Sequence, residues 1–275
     1  MAMLKLGGLR CGLVAMLLAV VSASGFAAAP AAGPYLDDLT WTELRDRIQA
    51  GSTTILVPIG GTEQNGPHMV LGKHNVRARL LAAQIAAKLG NAVVAPVLAY
   101  VTEGAVNPPT AHMRFTGTIT MPDATFEAVL ESTARSFCQH GFRDVVFLGD
   151  HGGYQKSEER AAARVNVDKA TPAGCKVHAL TEYYRVTQAA YIDDLKARGM
   201  RPDEIGTHAG LADTALTLAI DPALVRQDVL ARMTPRPQDG VYGDPRRATA
   251  EAGQAGVDAI IETSVAEIRA FTQAR

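Results

Sequence analysis

The chain has 275 residues, of which 47% are apolar and 20% charged, and its formal net charge is −1. This balance is typical of a globular protein with a sizeable core, and it excludes a disordered or fibrous chain. No basic patch stands out, so we expect no nucleic-acid partner.

The first thirty residues have the order of a secretory signal peptide. Lys5 and Arg10 precede an almost wholly apolar run over residues 11–21, and small residues then lead to Pro30. This run is shorter than the ~20 residues of a membrane span. We therefore predict a signal peptide over residues 1–29, export to the periplasm or beyond, and no membrane attachment after cleavage. A retained N-terminal anchor is the alternative.

A Pro-, Ala- and Gly-rich linker at residues 30–36 is expected to precede one domain over residues 37–275. Short apolar runs predict strands at 53–59, 92–97, 144–148 and 175–180. Helical periodicity and capping signals predict helices at 40–50, 76–89, 123–140, 156–170, 186–198, 209–219 and 249–273. Because continuous apolar strands alternate with helices, we predict an α/β fold, a three-layer α/β/α arrangement with a mostly parallel central sheet.

Residues 99–121 lack periodicity, and we interpret them as a long functional loop. His112 and Arg114 lie in this loop, where they could contact a substrate or a neighbouring subunit, or be ordinary solvated residues. Cys138 and Cys175 remain after cleavage. An oxidising compartment permits a disulfide between them, but two buried free thiols are the slightly preferred expectation.

Polar residues follow the first predicted strand, where a ligand site is expected in a parallel sheet. Glu63 offers a carboxylate, and His68 and His74 offer imidazole nitrogens, a mixture that suits Zn²⁺, Mn²⁺ or Fe²⁺. His68 could instead orient the loop by hydrogen bonding. Such a cluster arises often by chance, so this segment alone is a weak signal.

Two further polar segments lie at element ends. Asp150 and His151 follow the third strand among glycines, which permit close backbone approach, although His151 could equally cap a backbone group. His208 and Asp213 lie at a predicted helix start, where they could reach a site or serve only as a cap and a solvated acid. Serine-nucleophile and phosphate-loop motifs are absent.

Four segments in order resemble the creatininase (creatinine amidohydrolase) family: VPIGGTEQNGPHMVLGKH, HMRFTGTITM, FLGDHGGYQ and HAGLADTAL. The resemblance covers roughly residues 37–270. It implies an α/β domain, a divalent metal centre that often holds two ions, hydrolysis of an amide C–N bond in a small molecule, and a homo-oligomer, often a hexamer.

The sequence departs from the family pattern at ligand positions. Glu63 and His151 keep the family's identity, whereas Asn65 stands where the family has a histidine and His74 where it has a bridging aspartate. Asp213 stands in for a glutamate, and Tyr154 replaces an asparagine. A neutral imidazole binds one metal through one nitrogen and cannot bridge two ions.

We therefore predict one divalent ion, zinc with manganese or iron as alternatives, held by Glu63, His74 and His151. Asp150, His208 or Asp213 would move the proton to the leaving nitrogen. The candidates for substrate contact are Asn65, His68, His112 and Tyr154.

Two other functions stay open on the sequence. One is a catalytically inactive relative that binds a small molecule or a protein partner, which the altered positions 65 and 74 favour. The other is a metal-dependent hydrolase that acts on a bond other than an amide. The sequence identifies no substrate, and creatinine itself is not supported.

Overall fold

The computed structural model describes residues 1–2 and 33–274. Residues 3–29 of the predicted signal peptide and the first part of the linker lie outside the described residues. No helix in the described part of the chain has the length and apolar character that a membrane crossing needs.

Four parallel strands form the sheet in the order β2-β1-β3-β4. They are β1 (Thr54–Ile59), β2 (Ala92–Val94), β3 (Asp144–Gly149) and β4 (Lys176–Ala179). β1 pairs with β3 along its whole length, from Thr54 opposite Asp144 to Ile59 opposite Gly149. All side chains of β1 and β3 are buried, as continuous apolar strands of a covered parallel sheet should be.

Ten helices flank and follow the strands of the described chain. They are α1 (Trp41–Gln49), α2 (Lys73–Leu89), α3 (Asp123–Gln139), α4 (Gln155–Val167), α5 (Glu182–Gln188), α6 (Ala190–Ala197), α7 (Pro202–Ile205), α8 (Leu211–Ile220), α9 (Gln227–Arg232) and α10 (Ala250–Gln273). Thr40 caps α1 through the capping box with Glu43 that the sequence predicts.

Helices cover both faces of the sheet. Leu56 and Val146 point to one core, which α2, α5, α8 and α10 complete. Ile55 and Phe147 point to the other core, which α3 and α4 complete. Neighbouring residues of a strand thus serve opposite cores. The predicted three-layer α/β/α fold with a parallel sheet is confirmed.

Several element boundaries differ from the sequence-based prediction. The helix expected at 186–198 is two helices, α5 and α6, because Ala189 has a non-helical backbone with φ −124° and ψ −92°. β2 ends at Val94 rather than residue 97. Residues 99–121 form no helix or strand except one 3-10 turn at Ala111–Arg114, so the predicted long loop is present.

Cys138 and Cys175 form a disulfide, with Cα atoms 5.5 Å apart. The expectation of two free thiols is therefore wrong. Sequence could not resolve this point, because the bond depends on the C-terminus of α3 lying beside the start of β4. The disulfide ties the helix layer to the sheet at the end opposite the polar loops.

Candidate metal centre

Packing and hydrogen bonds fix the loop after β1, and Glu63 in this loop is buried. Gly60 packs directly on the start of α2, since a Cβ there would lie 2.8 Å from the backbone nitrogen of Asn75. Asn75 accepts the N–H of Gly61 at 2.9 Å. Asn65 donates through Nδ2 to the carbonyls of Glu63 and Val70, at 2.9 and 3.0 Å. Glu63 consequently has no exposed surface.

Four side chains bring metal-binding atoms together beside this loop. One donor atom each from Glu63, Glu103, His112 and His151 lies within 4.8 Å of the others. His112 Nε2 is 3.2 Å from Glu63 Oε2, and His151 Nε2 is 3.7 Å from the same oxygen. His151 Nδ1 is 3.9 Å from Glu103 Oε1. These four residues are the donor cluster.

The electrostatics of the donor cluster fit a divalent cation. Burial, and then the neighbouring Glu63, raise the pKa of Glu103 to about 9. Burial would also raise the pKa of Glu63, but His151, His74 and Lys73 together bring it well below its ordinary value. Glu63 Oε2 and both oxygens of Glu103 are buried without a hydrogen-bond partner. Unpaired buried carboxylate oxygens are costly unless a cation neutralises them.

The imidazoles of the cluster suit the same ion. Burial lowers the pKa of His151 to about 4 and also lowers that of His112. Both rings are therefore neutral near pH 7, which is the form that binds a metal through nitrogen. Two carboxylates and two imidazoles are a donor set that zinc, manganese and iron accept.

His74 lies beside the donor cluster and not in it. Its Nε2 is 2.9 Å from Glu63 Oε1 and its Nδ1 is 2.6 Å from Asp150 Oδ2. Both ring nitrogens are thus engaged by carboxylates in hydrogen-bond geometry. This arrangement favours a hydrogen-bonding role for His74, and the ligand role that the sequence predicts stays a prediction.

A buried ion-pair network extends from His74 away from the cluster. Lys73 Nζ pairs with Asp213, which also accepts Arg77 Nη1 at 3.0 Å. Arg77 Nε donates to Asp150 at 2.8 Å. Burial would raise the pKa of Asp150, but Arg77 and His74 hold it below its ordinary value. Burial would also raise the pKa of Asp213, but Lys73 and Arg77 bring it well below its ordinary value. Both aspartates are therefore anions near pH 7.

His208 lies on the open side of the donor cluster. Its Nε2 is 2.9 Å from the backbone carbonyl of Gln64 and its Nδ1 is 3.8 Å from Glu63 Oε1. Burial, and then the positive charge of Lys73, lower the pKa of His208 to about 4. A neutral ring with Nε2 donating to a carbonyl leaves Nδ1 as a proton acceptor aimed at the cluster.

Three residues predicted to contact substrate are buried supports of the loops. Asn65, His68 and Tyr154 each have no exposed surface. His68 Nε2 lies 2.9 Å from Thr214 Oγ1, and the Tyr154 hydroxyl donates to the carbonyl of Gly60 at 2.6 Å. These contacts indicate a supporting role for all three side chains, and their contact with substrate stays a prediction from the sequence. His112, the fourth candidate, lies in the donor cluster.

A small cavity adjoins the donor cluster on the side of α5 to α8. Its volume is about 80 Å³. Its lining combines charged and polar groups with the apolar side chains of Ile192, Ile205 and Leu216. His151, a member of the donor cluster, and His208 both line the cavity. A substrate in the cavity would thus meet both the metal position and the candidate proton-transfer histidine.

Glu103, Lys73 and Arg77 were not singled out by the sequence. Glu103 lies in the long loop, just before a glycine. The only feature of the sequence that could have identified it is that it is a carboxylate in a loop interpreted as functional. Lys73 immediately precedes His74, and such a lysine is normally exposed. Its burial, with 1% of the side chain exposed, follows from Asp213 far along the chain.

Comparison with known proteins identifies the family of the chain. The family model for creatininase, described as creatinine amidohydrolase, matches residues 37–268. Creatinine amidohydrolase of Pseudomonas putida is 28% identical over 223 residues, which cover 78% of this chain and 84% of the relative. The mycofactocin precursor peptide peptidase of Mycolicibacterium smegmatis is 28% identical over 222 residues, covering 73% of this chain and 78% of that protein.

Solved structures share the fold. A structure described as "Creatininase Mn" superposes with a TM-score of 0.72 at 24% identity, covering 86% of this chain and 98% of that one. A mutant creatininase of "Zn-Zn type" gives 0.68 at 24% identity, with 86% and 97% covered. The creatininases in these two structures are thus described with manganese and with zinc. The match over residues 37–268 shows that the chain belongs to the creatininase family.

Proposed function

We propose that the protein is a metal-dependent hydrolase that cleaves an amide C–N bond of a small molecule. The observation that carries the proposal is the donor cluster of Glu63, Glu103, His112 and His151, in which Glu63 Oε2 and both oxygens of Glu103 have no hydrogen-bond partner. Names of two relatives, an amidohydrolase and a peptidase, support cleavage of a C–N bond.

The charges of the site favour one divalent ion. Four carboxyl groups and two basic side chains lie together: Glu63, Glu103, Asp150, Asp213, Lys73 and Arg77. The two cations are paired with the two aspartates. Once an ion displaces the proton of Glu103, the two glutamates carry the two charges that a single divalent ion neutralises, and a second ion would leave buried positive charge uncompensated.

Zinc is the ion we propose, with manganese or iron as alternatives, and when bound it would polarise the substrate carbonyl and lower the pKa of a water molecule. The chain itself orients the reaction. His74 holds Glu63 through Oε1, which leaves Oε2 facing the cluster. The cavity beside His151 positions the substrate and restricts the water around it.

His208 is the residue we propose for proton transfer. Its Nδ1 faces the cluster, and a neutral imidazole can take a proton and deliver it to the leaving nitrogen. Asp150 and Asp213 were the other candidates. Because Arg77 and Lys73 hold both as anions, we now propose that they position His74 and the loop before α8 and carry no transferred proton.

We also propose that the protein acts after export, as a homo-oligomer. The order of residues 1–29 supports export, and the Cys138–Cys175 disulfide is expected in an oxidising compartment. The proposed assembly is supported by two exposed apolar side chains, Tyr100 and Val106, which are 60% and 68% exposed. Both lie in the long loop that also carries Glu103 and His112. Light scattering of the purified protein would test the assembly.

The metal content of matched histidine variants tests the ligand set. We expect wild type to contain one ion per chain by elemental analysis. His112→Ala should lose it, whereas His74→Ala should retain it, because both ring nitrogens of His74 lie against carboxylates outside the metal position. His140→Ala, on an exposed residue at the end of α3, is the control. Loss of metal in His74→Ala with retention in His112→Ala would support the ligand set that the sequence predicts.

Activity is tested with a panel of lactams, ureides, linear amides and esters. We expect turnover of amide substrates, dependence on metal, and loss of kcat in His208→Ala with metal still bound. A metal-loaded protein that hydrolyses only esters would contradict the C–N assignment. A protein that binds small molecules without turning over any of them would support the inactive relative instead.

A further inference from the structure

The side-chain amide of Gln64 lies between two histidines of the site. Its Nε2 is 3.2 Å from His112 Nδ1 and 3.0 Å from His208 Nε2. Its Oε1 accepts the backbone N–H of Gly66 at 3.0 Å. Gln64 is 6% exposed, and a Cβ at Gly240 would lie 1.9 Å from Oε1, so neighbouring backbone encloses the amide. One amide thus contacts both a proposed ligand and the proposed proton-transfer residue.

A residue with left-handed backbone conformation lies next to each of the two histidines. Ala111 precedes His112 with φ 45°, and Ala209 follows His208 with φ 51°. They are the non-glycine residues with positive φ in the described part of the chain. Such strain persists only where the surrounding structure imposes it. The ring centroids of His112 and His208 lie 4.6 Å apart, so a side chain between their nitrogens has little freedom.

The protons on the neighbouring nitrogens determine which atom of the Gln64 amide can face each ring. His208 Nε2 lies 2.9 Å from the backbone carbonyl of Gln64, and a carbonyl only accepts, so this nitrogen carries a proton. His112 directs Nε2 to Glu63 Oε2 at 3.2 Å. That nitrogen must lose its proton to bind a metal ion, which leaves the proton on Nδ1. Both rings then present N–H groups to the Gln64 amide, and Gly66 presents a third.

We infer that Gln64 is a positioning residue for metal binding, an inference that rests on the proposed function. Because His208 Nε2 carries a proton with or without the ion, Oε1 is the Gln64 atom that suits it, and in the metal-bound protein Oε1 accepts from both His112 Nδ1 and His208 Nε2. Gly66 is partly exposed, so water can accept its N–H in that orientation of the amide. An acceptor behind a ligating histidine fixes the ring and makes its other nitrogen a better ligand.

The zinc affinities of two Gln64 variants show whether the side chain acts as a hydrogen-bond acceptor or only fills space. Competition with a fluorescent chelator would measure the Kd of Zn²⁺ for the purified proteins. We expect Gln64→Met to bind about 10- to 100-fold more weakly, the usual effect of losing such a partner. Gln64→Glu, which keeps an acceptor, should bind at least as tightly as wild type. Gln188→Met, on an exposed residue at the cavity edge, is the control.

Ring nitrogen shifts in the wild-type protein give a second readout that needs no variant. Long-range ¹H–¹⁵N spectra should show the His112 proton on Nε2 without metal and on Nδ1 with Zn²⁺, while His208 keeps its proton on Nε2. Equal zinc affinity of Gln64→Met and wild type, or equal weakness of Gln64→Met and Gln64→Glu, would overturn the role of Gln64 alone. Wild type that binds no zinc would overturn the metal proposal as well.

Discussion

Lys73 should stabilise the fold strongly, because it is a buried cation with a buried partner. Its side chain is 1% exposed and pairs with Asp213, which Arg77 also contacts at 3.0 Å. Removing one partner of a buried ion pair typically costs about 3–5 kcal/mol. Since Arg77 remains on Asp213, we expect Lys73→Met to cost about 3 kcal/mol, the lower end of that range.

Thermal unfolding in the presence of a chelator measures this effect without metal. For a domain of this size, each kcal/mol lost from the free energy of unfolding lowers Tm by about 2–4 °C, so Lys73→Met should lower Tm by about 6–12 °C. Lys88→Met makes the same change at an exposed position of the same helix and should leave Tm unchanged within about 1–2 °C.

A double-mutant cycle shows whether the loss comes from the ion pair. Lys73→Met with Asp213→Asn should cost less than the sum of the single substitutions, with a coupling of about 1–3 kcal/mol. A Lys73→Met protein as stable as wild type, or a cycle with no coupling, would refute the charge balance on which the single ion depends.

Two further predictions concern groups outside the donor cluster. Glu158 is fully buried with both oxygens unpaired, and burial raises its pKa well above the ordinary value, so the folded state holds its proton and loses stability as pH rises above about 4.5. Glu158→Gln should therefore be more stable than wild type in urea unfolding, by a margin that grows from pH 5 to pH 8; a constant or negative margin would contradict this. Replacing Cys138 and Cys175 by serine should cost about 3–4 kcal/mol, from a sequence separation of 37 residues, and unfolding with and without reductant measures the same difference; a loss below about 1 kcal/mol would be contrary evidence.

The layers of the fold were predictable because they depend on local patterns. β1 and β3 are continuous apolar runs, and such runs between helices specify a covered parallel sheet. The break between α5 and α6 was not predictable, since Ala189 carries no proline or glycine signal. Its backbone is set by packing on the rest of the domain.

The sequence and the structure agree on Glu63 and His151 as members of the candidate site but differ on the other members. Glu63 and His151 follow strand ends, where a parallel sheet puts its ligands. Glu103 was missed because its loop has no periodicity. The environment of His74 depends on Asp150, 76 residues away in sequence, and that pairing exists only after the sheet has formed. Charge pairing across such distances leaves no local pattern.

The zinc-edge anomalous scattering of crystals grown with Zn²⁺ tests the account most directly. We predict one strong peak per chain, within bonding distance of the carboxylates of Glu63 and Glu103 and the rings of His112 and His151. A peak bonded to His74, a second peak of comparable height beside Lys73, or no peak in a correctly folded chain would contradict the proposed one-ion centre.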